Sequence, residues 1–198
     1  MRPRKARSPI AIIRHLAALV HDRSGSSALE MALIAPALVL MYCGSYVVSD
    51  MVTCGRKVSL SAHAVADLGS QYASLTSAQV TAILANSAYV MAPYNSSTAS
   101  MRLSEIQVTD ASHATVVWSQ AQNGPILATG AIVNLPTGMA PVDMQPNVTT
   151  STPGSYFIMG EITYPYAPSF GMGWIPAPNL YNRYFMLPRV STTVQYLP

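Results

Sequence analysis

The chain has 198 residues, a net charge of +3, and 50% hydrophobic against 10% charged residues, with two cysteines. That length suits one ordinary domain plus an anchor, and two cysteines exclude a scaffold built on disulfides. Residues 1–25 carry six basic residues against one acidic (+5), whereas the remainder carries five against seven (−2). The basic leader lacks interleaved aromatics and adjoins an apolar run, which argues against nucleic-acid binding.

Within the leader, Ile10 to Val20 is a short apolar patch broken by Arg14 and His15, suited to lie along a membrane surface rather than cross it. Glu30 then opens an uncharged apolar stretch, Met31 to Ser49, long enough as a helix to cross a hydrocarbon core of about 30 Å. The positive-inside rule keeps the leader in the cytoplasm and sends Asp50 onward outside. Tyr42 and Tyr46 fall in the outer half of the span, where amphipathic rings suit the interface. Pro36 falls inside the segment, which a membrane helix tolerates when its neighbours satisfy the freed carbonyl. Ala64-Val65-Ala66 resembles a signal-peptidase site, but Asp50, Arg56 and Lys57 separate it from the apolar run. That spacing argues against secretory cleavage.

Beyond the span, Val47, Met51, Cys54, Val58, Ser61, Val65, Leu68 and Tyr72 recur at spacings of four and three, a single stripe on a helix. The pattern predicts one helix from about Ser26 to about Ser70, with Gly44 and Gly55 weakening it and Gly69 marking its end. Such a stripe packs either on the chain's own outer domain or on neighbouring subunits, since its spacing is also that of a coiled-coil seam. Cys43 and Cys54 lie about 16 Å apart along such a helix, too far for a mutual bridge. Cys43 reads as a packing residue. Cys54, just outside the membrane, is a candidate for a disulfide between two copies.

The texture then changes. Ser77 to Val90 predicts a short helix with Ser77 as its N-cap, and Asn95 to Ser100 a polar loop. Leu103 to Thr109 and Ala114 to Gln120 predict two strands with Ile106, Val108, Val116 and Trp118 at alternate apolar positions. Asn123-Gly124-Pro125 predicts a turn, and Leu135 to Pro153 a long irregular connection. Tyr156 to Tyr164 reads as the strongest strand, ended by Pro165 and Pro168, and Val190 to Tyr196 as a final one. The expected fold is α+β: a long N-terminal helix packed on a small antiparallel sheet. The domains expected are a basic leader at 1–25, a transmembrane helix at 26–49, an amphipathic extension at 50–74 and an outer β-rich domain at 75–198.

Signals for chemistry are sparse. His15, His21, His63 and His113 have none of the paired spacings of metal ligands. No phosphate loop or nucleophile elbow occurs. Glu105, Asp110, Asp143 and Glu161 are scattered singly, as solvated surface carboxylates are. The expectation is a protein that is not an enzyme, with no metal, cofactor or small-molecule substrate. Asn95-Ser96-Ser97 and Asn147-Val148-Thr149 match glycosylation acceptors, which carry weight only in a secreted eukaryotic chain.

Glu30 reads in two ways. A lone carboxylate at a membrane edge snorkels to water. If the chain is cut after Gly25, Ser26 becomes the N-terminus and Glu30 the fifth mature residue. A free amine and a carboxylate on neighbouring copies then offset each other's desolvation and set helix register. Glycine suits the cut site because a peptidase must bind extended backbone without obstruction.

Arg23-Ser24-Gly25 followed by Ser26-Ser27-Ala28-Leu29-Glu30-Met31-Ala32-Leu33-Ile34-Ala35-Pro36 resembles the N-terminal region of TadE/TadG-like proteins, pseudopilin-like components of the tight-adherence (Flp) pilus system. Met31 stands where many members have an aromatic residue. Ile106 to Asp110 with Ala114 to Gln120, Gly160 to Tyr166, Ser169 to Gly171, and Leu187 to Ser191 resemble the family's outer part more loosely. The short chain fits the smaller TadE type. The resemblance implies cleavage by a prepilin peptidase after Gly25, with Glu30 as the acid of the processing motif. It also implies a single-pass protein of the bacterial inner membrane, its C-terminal domain periplasmic or carried into a pilus. Its expected partners are the peptidase, other pilins or pseudopilins, inner-membrane assembly proteins and the membrane itself; its expected role is pilus assembly, adhesion and biofilm formation. The alternative is a membrane-anchored binding module or sensor unrelated to pili.

Overall fold

A computed structural model describes residues 26–110, 112–136, 154–168 and 178–198. The leader with Gly25 and the Ile10–Val20 patch lies outside the described residues, as do most of the Leu135–Pro153 connection, Asn147, and residues 169–177. The chain divides into two units, Met1–Tyr46 and Val47–Pro198.

The described part of the first unit is helix. Helix α1 runs Ser26–Ser70, the bounds that the apolar run and the stripe predict. Pro36 lies within it and leaves the Ala32 carbonyl without its usual intrahelical donor. The large apolar side chains here, among them Leu29, Leu33, Leu38, Leu40 and Met41, are exposed.

The second unit is built on a five-stranded antiparallel sheet in the order β4-β3-β2-β5-β6. Its strands are β2 (Ser100–Val108), β3 (His113–Gln122), β4 (Ile132–Asn134), β5 (Tyr156–Pro165) and β6 (Asn179–Met186). A separate parallel pair joins β1 (Ser74–Thr76) to β7 (Gln195–Leu197). Alternation sends Ile158 and Ile162 of β5 to one face, where they join Met101, Leu103 and Trp118 in a core with Cys54, Val58, Ala62 and Val65 of α1. The intervening Phe157 and Met159 join Ile106, Val108, Val116, Val133 and Leu135 in a second cluster on the other face. The fold is α+β, a long N-terminal helix with an antiparallel sheet.

The helix face over the sheet is made of small residues, and the backbones approach closely. A Cβ added to Gly160 would lie 2.5 Å from the Ala62 carbonyl oxygen and 2.8 Å from the Ala66 nitrogen. One added to Gly69 would lie 2.8 Å from Leu103 Cδ1. At Gly160 the close atoms are helix backbone and cannot give way, so glycine there lets α1 settle onto β5; at Gly69 the close atom is the tip of a leucine that can shift.

Four local features differ from the sequence expectation. Helix α2, Ser77–Tyr89, is capped by Thr76 rather than Ser77. The Gln79 N–H donates to Thr76 Oγ1 at 3.3 Å, while the Thr76 N–H donates to Gln79 Oε1 at 2.8 Å. This reciprocal capping box needs the glutamine three residues after the cap. In β3, Trp118 pairs with Glu105 but Val116 pairs with Ile106, which leaves Val117 as a bulge. The extra residue turns Trp118 to the α1 face while Val116 stays on the other, so the two do not share a face. Strands β1, β4 and β6 were not foreseen. The expected Val190–Tyr196 strand shrinks to Gln195–Leu197 and pairs with β1 outside the main sheet. Its upstream part is drawn off by the Arg189 N–H, which donates to the Ser70 carbonyl at 2.9 Å.

Candidate functional site

The residues singled out for processing sit at the start of α1. Gly25 lies outside the described residues, and of Ser26 only its place as the first helical residue is described. Glu30 stands one turn further on, exposed. Leu33, 81% exposed, is typical of the residues that follow. Helical residues from Leu29 onward are long and apolar enough to cross a membrane.

The packing stripe has a different fate. Cys54, Val58 and Val65 are buried in the core, and Leu68 packs against it. Ser61 is buried too, and Val47 is half-buried. Met51 and Tyr72, toward the two ends of the stripe, stay exposed. The middle of the stripe therefore contacts the chain's own sheet. Cys54 has no exposed surface. Its thiol is pushed up to about 11, first by burial and then by the Asp50 charge, so little reactive thiolate forms near neutral pH. Burial thus opposes the disulfide between copies for which Cys54 was a candidate.

The structure adds a clasp that the sequence did not suggest. Asp50, the first charged residue after the apolar run, receives the Tyr94 hydroxyl at 2.8 Å on Oδ1 and the Tyr166 hydroxyl at 2.6 Å on Oδ2. Tyr94 also donates to the Asp50 carbonyl at 3.1 Å. Burial, then the bond to Asp50, raises the Tyr94 phenol well above its ordinary value. The clasp ties α1 to the loops after α2 and β5. The sequence signal was present, an acid just past an apolar span with tyrosines downstream, but the pairing spans 44 and 116 residues.

A second polar cluster lies under residues 187–198. Glu105 is buried, and desolvation raises its carboxyl above the ordinary value despite bonds from the Val194 N–H and Trp118. Its Oε1 accepts the Val194 N–H at 2.6 Å. Trp118 Nε1 donates to Glu105 Oε2 at 2.9 Å and to the Val194 carbonyl at 2.7 Å. Across the sheet, Glu161 accepts from Arg102 Nε at 2.7 Å and from the Tyr181 hydroxyl at 2.6 Å. Burial, then Glu161, pushes the Tyr181 phenol up to about 12.

One cluster has the residue types of a hydrolase triad but not its geometry. Asp110 Oδ1 and Ser112 Oγ approach the same ring atom, His113 Nδ1, at 2.9 and 3.0 Å. A triad needs the acid and the nucleophile on opposite ring nitrogens. Asp110 Oδ1 also accepts the Ser112 and His113 N–H groups at 2.8 and 2.9 Å, which makes the cluster the turn between β2 and β3. These bonds, led by the Ser112 N–H, pull the Asp110 carboxyl down to about 2. Among the described residues, no group of three or more His, Cys, Asp or Glu is placed to hold a metal. A cavity of 360 Å³ beside Tyr156, Leu187 and Ser191 has no carboxylate, histidine or cysteine in its lining.

No family model matches the chain, and no curated protein or solved structure matches it either.

Proposed function

We propose that the protein is a single-pass, pilin-like subunit that helps assemble or anchor a tight-adherence pilus, is cut after Gly25, and has no catalytic activity of its own. The observation that carries this reading is the division of labour along α1. Its first part is apolar and exposed, and the same helix goes on to form the core of an α+β unit. An apolar helix surface this large needs lipid or other helices around it. The motif Gly25-Ser26 with Glu30, directly before that surface, supplies the processing reading and the register contact between copies.

In this account the mechanism is packing. The apolar half waits in the membrane and later meets the corresponding halves of neighbouring subunits. Glu30 pairs with the new amine at Ser26 of an adjacent copy, and the outer unit presents its surface to other pilus components. The N-terminal residue and intact mass of protein extracted from its native membrane test this. A chain that begins at Ser26 is the expected result. A chain that still begins at Met1, in cells with an active prepilin peptidase, overturns the processing step and the pilin reading with it.

A further inference from the structure

The segment at 187–198 is held like a bound peptide. Glu105 and Trp118 grip both backbone groups of a single residue, Val194, whose side chain is fully buried. Two residues on, Tyr196 stacks on Trp118 with ring centroids 5.5 Å apart. Strand β7 then pairs in parallel with β1, Leu75 opposite Tyr196. The slot thus reads an extended backbone, one β-branched side chain and one aromatic ring. A buried carboxylate is costly unless bonded, and here the Val194 N–H is one of the two bonds that satisfy it.

The link to β6 is of a different kind. Residues 187–193 form no regular element, and their fastening to α1 is Arg189, which contacts Asp67 and donates its N–H to the Ser70 carbonyl. Seven residues reach roughly 25 Å when extended. We propose that the Glu105–Trp118 slot is an acceptor for residues 194–198 of a second copy, so that neighbouring subunits are joined by exchange of this strand. Every contact of the slot is kept when an identical segment replaces the original, which is why exchange of an element between copies is a low-cost route to association. The inference rests on the reading that copies pack side by side in a membrane.

Cross-linking of the full chain in its native membrane tests it. One tagged copy carries Ser74→Cys and a differently tagged copy carries Gln195→Cys, two exposed positions paired in the β1–β7 register. Both carry Cys43→Ala, and a short bis-maleimide is added. Exchange yields a covalent heterodimer, reduced several-fold by Trp118→Phe, which keeps the ring and removes the donor. A heterodimer that Trp118→Phe leaves unchanged reports proximity alone and overturns the proposal. So does its absence when a chain with both cysteines cross-links internally. Absence of both products overturns it too, because residues 194–198 then leave β1 altogether. The N-terminal residue of the same protein reports separately on processing: a heterodimer of chains starting at Met1 keeps the exchange and removes the pilin reading.

Discussion

The two halves of α1 differ in charge as well as in surroundings: residues 31–49 are uncharged, whereas the later half carries Arg56, Lys57, His63 and Asp67. From Leu29 to Tyr46 the large apolar side chains are exposed, while from Cys54 to Gly69 the inward face is sealed against a sheet. The sealed half uses small residues, Ala62, Ala66 and Gly69, and meets Gly160 at backbone distance. The exposed half uses Leu, Met and Ile on all sides, a surface suited to lipid. Charge on one face and small residues on the other mark the half that covers the sheet; apolar side chains all round mark the half that does not.

Substitutions in the two halves sharpen this contrast. The largest effect is expected from Gly160→Val, which places a branched side chain against the α1 backbone; it should cost the outer unit about 3 kcal/mol, read as a lowered thermal midpoint. Val65→Ala, in the sealed half, should cost about 2 kcal/mol through lost burial and a cavity. Leu33→Ala, in the exposed half, should change the stability of the outer unit by less than about 0.5 kcal/mol. Equal losses at Val65 and Leu33 would break the comparison.

Asp50→Ala should cost roughly 2 kcal/mol, since it removes two bonds to a charged acceptor and leaves Tyr94 and Tyr166 without it. Urea unfolding checks the size, and protease sensitivity near residue 50 checks the place. Glu105 gives a pH signature. Its folded carboxyl titrates above the unfolded value of 4.5, so stability is fullest below that value and falls as pH rises through the folded one. Glu105→Gln should flatten that dependence in melts between pH 4 and 8. Asp110 gives the smallest and opposite signal. Its contribution is present above 3.8 and is lost as pH falls toward about 2, and Asp110→Asn should abolish this acid-side slope.

The parts legible in the sequence were those with local repetition. The bounds of α1 follow from an unbroken apolar run joined to a stripe at spacings of four and three, and β5 follows from strict alternation at Tyr156, Ile158, Ile162 and Tyr164. The turn at Asn123 takes the left-handed φ of 56° that Asn-Gly-Pro suggests. Strand β6 was not legible because Asn182 and Arg183 interrupt its alternation. It is a strand because β5 offers it a full antiparallel register, and because Asn182 reaches Ser59 at 2.9 Å and Tyr184 meets the His63 ring. Nor was the Val117 bulge visible, since the displacement of Trp118 is decided by Glu105 and Val194, 13 and 76 residues away. Of the candidate site, the stripe could be read, but whether it met the chain's own sheet or another copy could not; the close approach depends on Gly160, which carries no periodic signal.

The meeting of α1 and Gly160 also has a mechanical meaning. With the Ala62 carbonyl and the Ala66 nitrogen lying where a Gly160 side chain would stand, one turn of helix backbone rests directly on the strand. A pull along α1 is therefore delivered to β5 near its middle, between β2 and β6, which hydrogen-bond it on both sides. The load reaches the sheet at an inner strand rather than at an edge that could be peeled away.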